Sequence, residues 1–287
     1  MLLQRVITAL VLLAVLLPAL FAPTPTPFIA LLLVAMAAAA WEWARLNGLA
    51  GATALATGAA CLAVCGALWW AGAVERPLPL LWIAAALAWV LGGAALLKGG
   101  VAGWPRLPLG LRWGIGVAAL VVAWLAMAQA RRLGVNFLLS VLVLVWAADI
   151  FAYFFGRALG GKLSGGARLA PVISPKKSWE GVWGGMLGVL LVAALWVWLD
   201  RAYATGAASL YTRLHASGAV WLLLGVLFLA AMSVVGDLLE SLVKRSAGMK
   251  DSSRLLPGHG GVLDRIDALL PTLPLAMLLV SFGQGGA

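Results

Sequence analysis

The chain has 287 residues, of which 64% are hydrophobic and only 10% charged, with 15 tryptophans. That is too apolar for a soluble domain, whose surface must meet water. The formal net charge of +10 could suit nucleic acid or anionic lipid. No basic segment stands on a soluble domain, so nucleic acid is set aside and the membrane surface is kept.

Apolar runs of about 17–22 residues, long enough to cross a bilayer core as helices, fall at 5–22, 28–46, 51–72, 78–97, 113–130, 136–156, 182–199, 218–238 and 267–284. The expected fold is all-α: a polytopic membrane protein of about nine transmembrane helices, one integral domain over 1–287. Helices in 1–135 form its N-terminal part, and 136–287 carry the catalytic helices and loops. The opening "MLLQRVITALVLLAVLLPALFAPTP" has the basic start and apolar run of a signal peptide. More spans follow at once, so it reads as an uncleaved first helix, separated from the second by "PTPTP" at 23–27. Cys61 and Cys65 sit one turn apart in an apolar run and read as packing residues, since a zinc site needs further ligands nearby.

Nine spans put the two ends of the chain on opposite sides, and positive charge decides the orientation. With the N-terminus in the cytoplasm, fifteen Lys and Arg face inward and five (Arg76, Arg131, Arg132, Arg201, Arg213) face outward. The expected C-terminus is therefore outside.

The acidic residues number ten, and seven of them fall in two inward-facing segments, 149–181 and 237–267. In the first, Asp149 lies inside the sixth span, where a carboxylate is costly without a partner or a wet cavity. Asp149, Tyr153, Gly156 and Arg157 share a helical face. A packing pair of Asp149 with Arg157 is the plainer alternative. The segment ends Ser174-Pro175-Lys176-Lys177-Ser178, two ammonium groups and two hydroxyls beside a helix start. Ser178 can cap that helix, and free N–H groups at such a start favour an anion. A juxtamembrane basic patch is the alternative. Gly181, Gly184, Gly185 and Gly188 then line the seventh span and read as close helix packing.

The second segment is "SLVKRSAGMKDSSRLLPGHGGVLDRID", 241–267, preceded by Asp237 and Glu240. Asp237, Glu240, Ser241 and Lys244 share a helical face, and "PGHGG" supplies glycines for tight backbone geometry. Carboxylates among Lys and Arg suit a hard cation together with phosphates: oxygen ligands hold Mg²⁺, and basic side chains hold phosphate. His259 reads equally as a proton carrier, a phosphate donor or a structural residue of the turn.

At these residues the chain resembles the phosphatidate cytidylyltransferase (CDP-diacylglycerol synthase) family. Its signature is filled by Ser241, Lys244, Arg245, Lys250, Asp251, Pro257, His259, Gly260, Gly261, Asp264, Arg265 and Asp267. The upstream resemblance runs through Asp149, Ala152, Tyr153, Gly156, Arg157 and "ISPKKSWEG". The resemblance implies transfer of cytidylyl from CTP to phosphatidic acid with release of pyrophosphate, in phospholipid biosynthesis. It also implies Mg²⁺, a second cation such as K⁺, a homodimer and a site open to cytoplasm and lipid. The short chain separately suggests a bacterial inner membrane. It assigns metal binding to Asp237 and Asp264, with Asp149, Glu240 and Asp267 as further candidates. Lys244, Arg245, Lys250, Asp251, His259 and Arg265 are the expected catalytic set. Ser174, Lys176, Lys177, Ser178, Arg157 and Ser241 are the expected phosphate-binding set. Two other classes stay open: a CTP-dependent polyprenol or lipid kinase, and an ion-coupled transporter using Asp149. The transporter reading expects acids near the midplane of several broken helices, whereas most charge here lies at the membrane edge.

Overall fold

The computed structural model describes residues 2–203 and 206–283. Among them, nine helices are long and apolar enough to cross a membrane, one for each apolar run. They are α1 (Leu2–Phe21), α2 (Thr26–Leu46), α3 (Gly51–Trp70), the pair α4 (Pro79–Leu87) and α5 (Gly93–Gly103), α6 (Leu109–Leu133), α7 (Val135–Leu159), α8 (Trp179–Tyr203), α10 (Ala219–Ser246), and α11 (Leu263–Ile266) continuing into α12 (Leu269–Gly283). A short α9 (Leu210–Ala216), capped by Ser209 accepting from the Thr212 N–H, precedes α10.

The ends depart from the apolar runs where charge begins. α10 continues to Ser246 rather than stopping at 238, so Glu240, Ser241 and Lys244 are helical. The fourth span is not one regular helix. A π-helical turn at Ala88–Gly92 joins α4 to α5, and Gly100 breaks the helical dihedrals with φ 66°. The stretch ahead of α8 is a strand pair rather than plain loop: β1 (Arg168–Ala170) lies antiparallel to β2 (Ser174–Ser178), with Arg168 opposite Ser178. Proline is tolerated here because a two-stranded ribbon has free edges.

The helix ends meet in two sets. At one, Thr8 of α1 donates to the Pro257 carbonyl at 2.9 Å, Trp104 after α5 donates to Asn47 after α2, and Lys177 reaches Asp237. At the other, Arg131 of α6 donates to the Leu20 and Ala22 carbonyls, Arg132 pairs with Glu75, and Asn136 of α7 donates to Asp200 of α8. The first set carries both charged segments. Between the two sets lies an apolar core that includes Trp124, Phe137, Leu144 and Leu229. Cys61 and Cys65 are buried in it as free thiols. α1 is the outlier, with only 6% of its span buried, a helix dressed for lipid rather than for the core.

Candidate active site at the charged end

The site begins with how closely two helices approach. A Cβ built on Gly184 would stand 2.2 Å from Phe155, and one on Gly188 would stand 2.1 Å from Phe151. On Gly185 it would meet the Ala148 carbonyl at 2.8 Å. The glycine stripe of α8 is thus the packing surface expected of it, and it sets α7 directly against the start of α8. Ser178 caps that start, its Oγ accepting from the Gly181 N–H at 3.2 Å. The consequence is functional: the Asp149 face of α7 lies beside the strand that carries Lys176 and Lys177.

A cavity of about 360 Å³ opens there. Asp149, Tyr153, Arg157, Lys176, Lys177 and Asp237 line its polar side, and Val182, Met186, Ala230 and Val234 its apolar side. Lys177 Nζ lies 2.5 Å from Asp237 Oδ2, and the Ser241 hydroxyl donates to Asp237 Oδ1 at 3.3 Å. Arg157 donates to the Tyr153 hydroxyl at 3.1 Å. Its guanidinium therefore serves the cavity wall rather than a packing pair with Asp149. Ser174 lies at the far end of β2, opposite Ala170.

The signature segment builds a second cluster beside this cavity. Lys244 is its hub: its ammonium contacts Glu240 one turn back and lies 2.6 Å from Asp264 Oδ1. The side chains are 12% exposed for Lys244 and 5% for Asp264, so the pair is held largely out of water. Asp264 Oδ2 accepts from the Ser252 N–H at 2.9 Å, the Ser252 hydroxyl at 2.8 Å and the Gly261 N–H at 2.7 Å. Residues 256–260 close a tight turn in which the Leu256 N–H donates to the Gly260 carbonyl. Gly258 and Gly260 have φ of 77° and 89°, a region in which only glycine is comfortable. Arg265 donates to the His259 carbonyl at 2.7 Å and so braces the turn, while Arg245 donates to the Met249 carbonyl just past the end of α10. Lys250 and Asp251 stand exposed between α10 and the turn.

The two clusters adjoin through α10 and α11. A Cβ on Gly236 would lie 2.5 Å from the Asp267 carbonyl, which brings Asp267 up to Asp237. Asp149 and Asp237 line the same cavity.

The carboxylates here fit a hard cation by donor chemistry, being all-oxygen, and Asp237 and Asp264 each also hold a lysine. Among the described residues no three His, Cys, Asp or Glu side chains converge into a metal cage.

Two anchoring glutamates escaped the sequence reading. Glu180 is buried and accepts from the Leu163 and Ser164 N–H groups at 3.1 and 2.8 Å, folding the 160–166 loop back on α8. Glu42 of α2 is 0% exposed and binds the signature segment. The usable signal was its position, a carboxylate inside an apolar span, which marks a candidate by default.

Fold and site together define a polytopic helical membrane protein with lysines, arginine and carboxylates gathered at one membrane edge, two of the lysines on a short strand pair. The sequence matches the model of the cytidylyltransferase family over residues 3–282. It is 41% identical over 295 residues to the phosphatidate cytidylyltransferase of Pseudomonas aeruginosa, covering 99% of both chains. The Haemophilus influenzae protein of the same name is 37% identical, with 96% of each chain covered. The Staphylococcus aureus protein of that name is 38% identical over 165 residues, 57% of this chain and 56% of that one. The chain belongs to the cytidylyltransferase family.

Proposed function

We propose that the protein transfers the cytidylyl group of CTP to phosphatidic acid, forming CDP-diacylglycerol and pyrophosphate. The observation that carries this reading is the single cavity in which Lys176, Lys177 and Arg157 face Asp149 and Asp237 beside an apolar wall. A soluble polyanion and a lipid phosphate can both reach such a place.

A phosphatidate oxygen forms a bond to the α-phosphorus of CTP. The bond from that phosphorus to the bridging oxygen breaks, and its electron pair leaves with pyrophosphate. Attacker and target are both anions, so alignment and charge neutralisation dominate the barrier. Lys176, Lys177 and Arg157 bind phosphate oxygens. Lys177 is also held by Asp237, which fixes its ammonium at the cavity. No general base is required, since the attacking phosphate is already ionised. Mg²⁺, when bound, would neutralise triphosphate oxygens; Asp237 and Asp264 are its assigned carboxylates, with Asp149, Glu240 and Asp267 near by. K⁺ is the second cation of this reading. Lys244 keeps Glu240 and Asp264 from repelling each other.

The reading places the charged end in the cytoplasm of a bacterial inner membrane and takes the working unit as a homodimer. The charge asymmetry along the chain supports the orientation, and the bacterial relatives support the membrane. CTP labelled separately at its α- and γ-phosphates tests the reaction. Cytidylyl transfer sends only the α-label into lipid, whereas a lipid kinase sends only the γ-label.

A further inference from the structure

We propose that Glu42 is a positioning residue for the reaction, holding the 252–263 segment so that Asp264 and Lys244 keep one orientation at the site. The proposal rests on the reading of Asp264 as part of that site. Glu42 lies 210 to 221 residues from its partners in sequence. Its Oε1 accepts from the Ser253 hydroxyl at 2.5 Å and the Val262 N–H at 3.0 Å. Its Oε2 accepts from the Leu263 N–H at 2.7 Å and lies 3.3 Å from the Ser252 hydroxyl.

Glu42 and Asp264 therefore divide one piece of chain between them. Of two adjacent serines, Ser252 turns to Asp264, its shorter contact, and Ser253 to Glu42. Of three successive N–H groups, that of Gly261 goes to Asp264, and those of Val262 and Leu263 go to Glu42. Both ends of the tight turn are pinned to both carboxylates. The two glycines after His259 follow from this. A Cβ on Gly260 would lie 2.8 Å from Asp264 Oδ2; one on Gly261 would lie 2.0 Å from Ser252 Oγ and 2.4 Å from Glu42 Oε1. Neither position has room for a side chain while the clamp is closed.

The clamp calls for a carboxylate in particular. Three donors, the Ser253 hydroxyl and the Val262 and Leu263 N–H groups, converge on two oxygens, and only an ionised carboxyl accepts at both without offering a proton. A glutamine would set its NH₂ against the Val262 N–H or the Leu263 N–H, whichever way the amide is turned. Burying that charge is costly unless charge-assisted bonds offset the cost, and these bonds reach only the signature segment.

The test compares wild type with Glu42→Gln, purified in lipid nanodiscs, by hydrogen–deuterium exchange and by cytidylyl transfer. Peptides within 249–263 should exchange about tenfold faster in the variant, with the 163–180 hairpin unchanged, and kcat should fall by about tenfold or more at saturating CTP. Unchanged exchange across 249–263 overturns the proposal. So does faster exchange spread over all spans, which makes Glu42 a general stability group. Ser253→Ala serves if the first variant fails to fold, since it removes one Glu42 bond and spares those to Val262 and Leu263. It should lower kcat several-fold with the melting temperature unchanged. Full kcat with a lowered melting temperature overturns the proposal. Wild-type protein that makes no cytidylyl lipid sinks the functional reading instead, and the exchange comparison still judges the clamp.

Discussion

Lys177 on strand β2 and Asp237 on α10 meet at 2.5 Å, and this pair joins the two charged segments of the chain into one site. Sixty residues separate them in sequence. The glycine stripe that draws α8 onto α7 sets β2 at the cavity, and Asp237 near the end of the apolar run of α10 meets it there. The pair holds a candidate phosphate-binding group and a candidate metal-binding group in the same cavity.

Replacing Lys176 and Lys177 together with Gln should cut turnover at least about tenfold, roughly 1.4 kcal/mol of transition-state stabilisation. Steady-state cytidylyl transfer in detergent measures it. Protein that loses membrane retention but keeps full turnover would mark these lysines as lipid anchors only.

Packing and chemistry are separable at the α7–α8 contact. Gly184→Ala forces a methyl group to within 2.2 Å of Phe155, and overpacking of this kind costs about 1–3 kcal/mol. The expected outcome is a clear drop in melting temperature. An unshifted melting curve would show that the two helices are not held as tightly as described.

Orientation is open to direct labelling. Cysteines placed at the exposed Lys162 and Arg254 should resist an impermeant thiol reagent in intact cells, while one at the exposed Arg76 should react. Reaction at the first two and protection of the third would invert the topology and move CTP access to the other side. The native Cys61 and Cys65 are buried and should stay silent.

Much of this was legible in the sequence because its signals are local. Length and apolarity found all nine spans, since the bilayer imposes one thickness on every crossing. Helical spacing placed Asp149, Tyr153 and Arg157 on one face, and they line one cavity. Ser178 was readable as a cap because capping acts over three residues. The β1–β2 ribbon was not legible: its Pro and two Lys carry no alternating apolar pattern, and it persists as a short edge pair. Nor was the hub role of Lys244, because Asp264 lies 20 residues on, beyond any helical period. Glu42 is the extreme case. Its partners sit more than two hundred residues away, and no local pattern distinguishes a glutamate clamping a distant loop from one facing a cavity.

The most direct test of the account sets wild type beside Asp237→Asn and Asp264→Asn, with cytidine-labelled CTP and phosphatidic acid. Asn keeps the size and one carbonyl oxygen but removes the charge. Wild type should make a lipid-soluble cytidine product with one pyrophosphate released for each. Each variant should insert normally, lose turnover by roughly 10²–10³, the scale of removing a key electrostatic group, and regain little with added Mg²⁺. Label that stays in the aqueous phase with wild type, or near-normal turnover in both variants, would contradict the account.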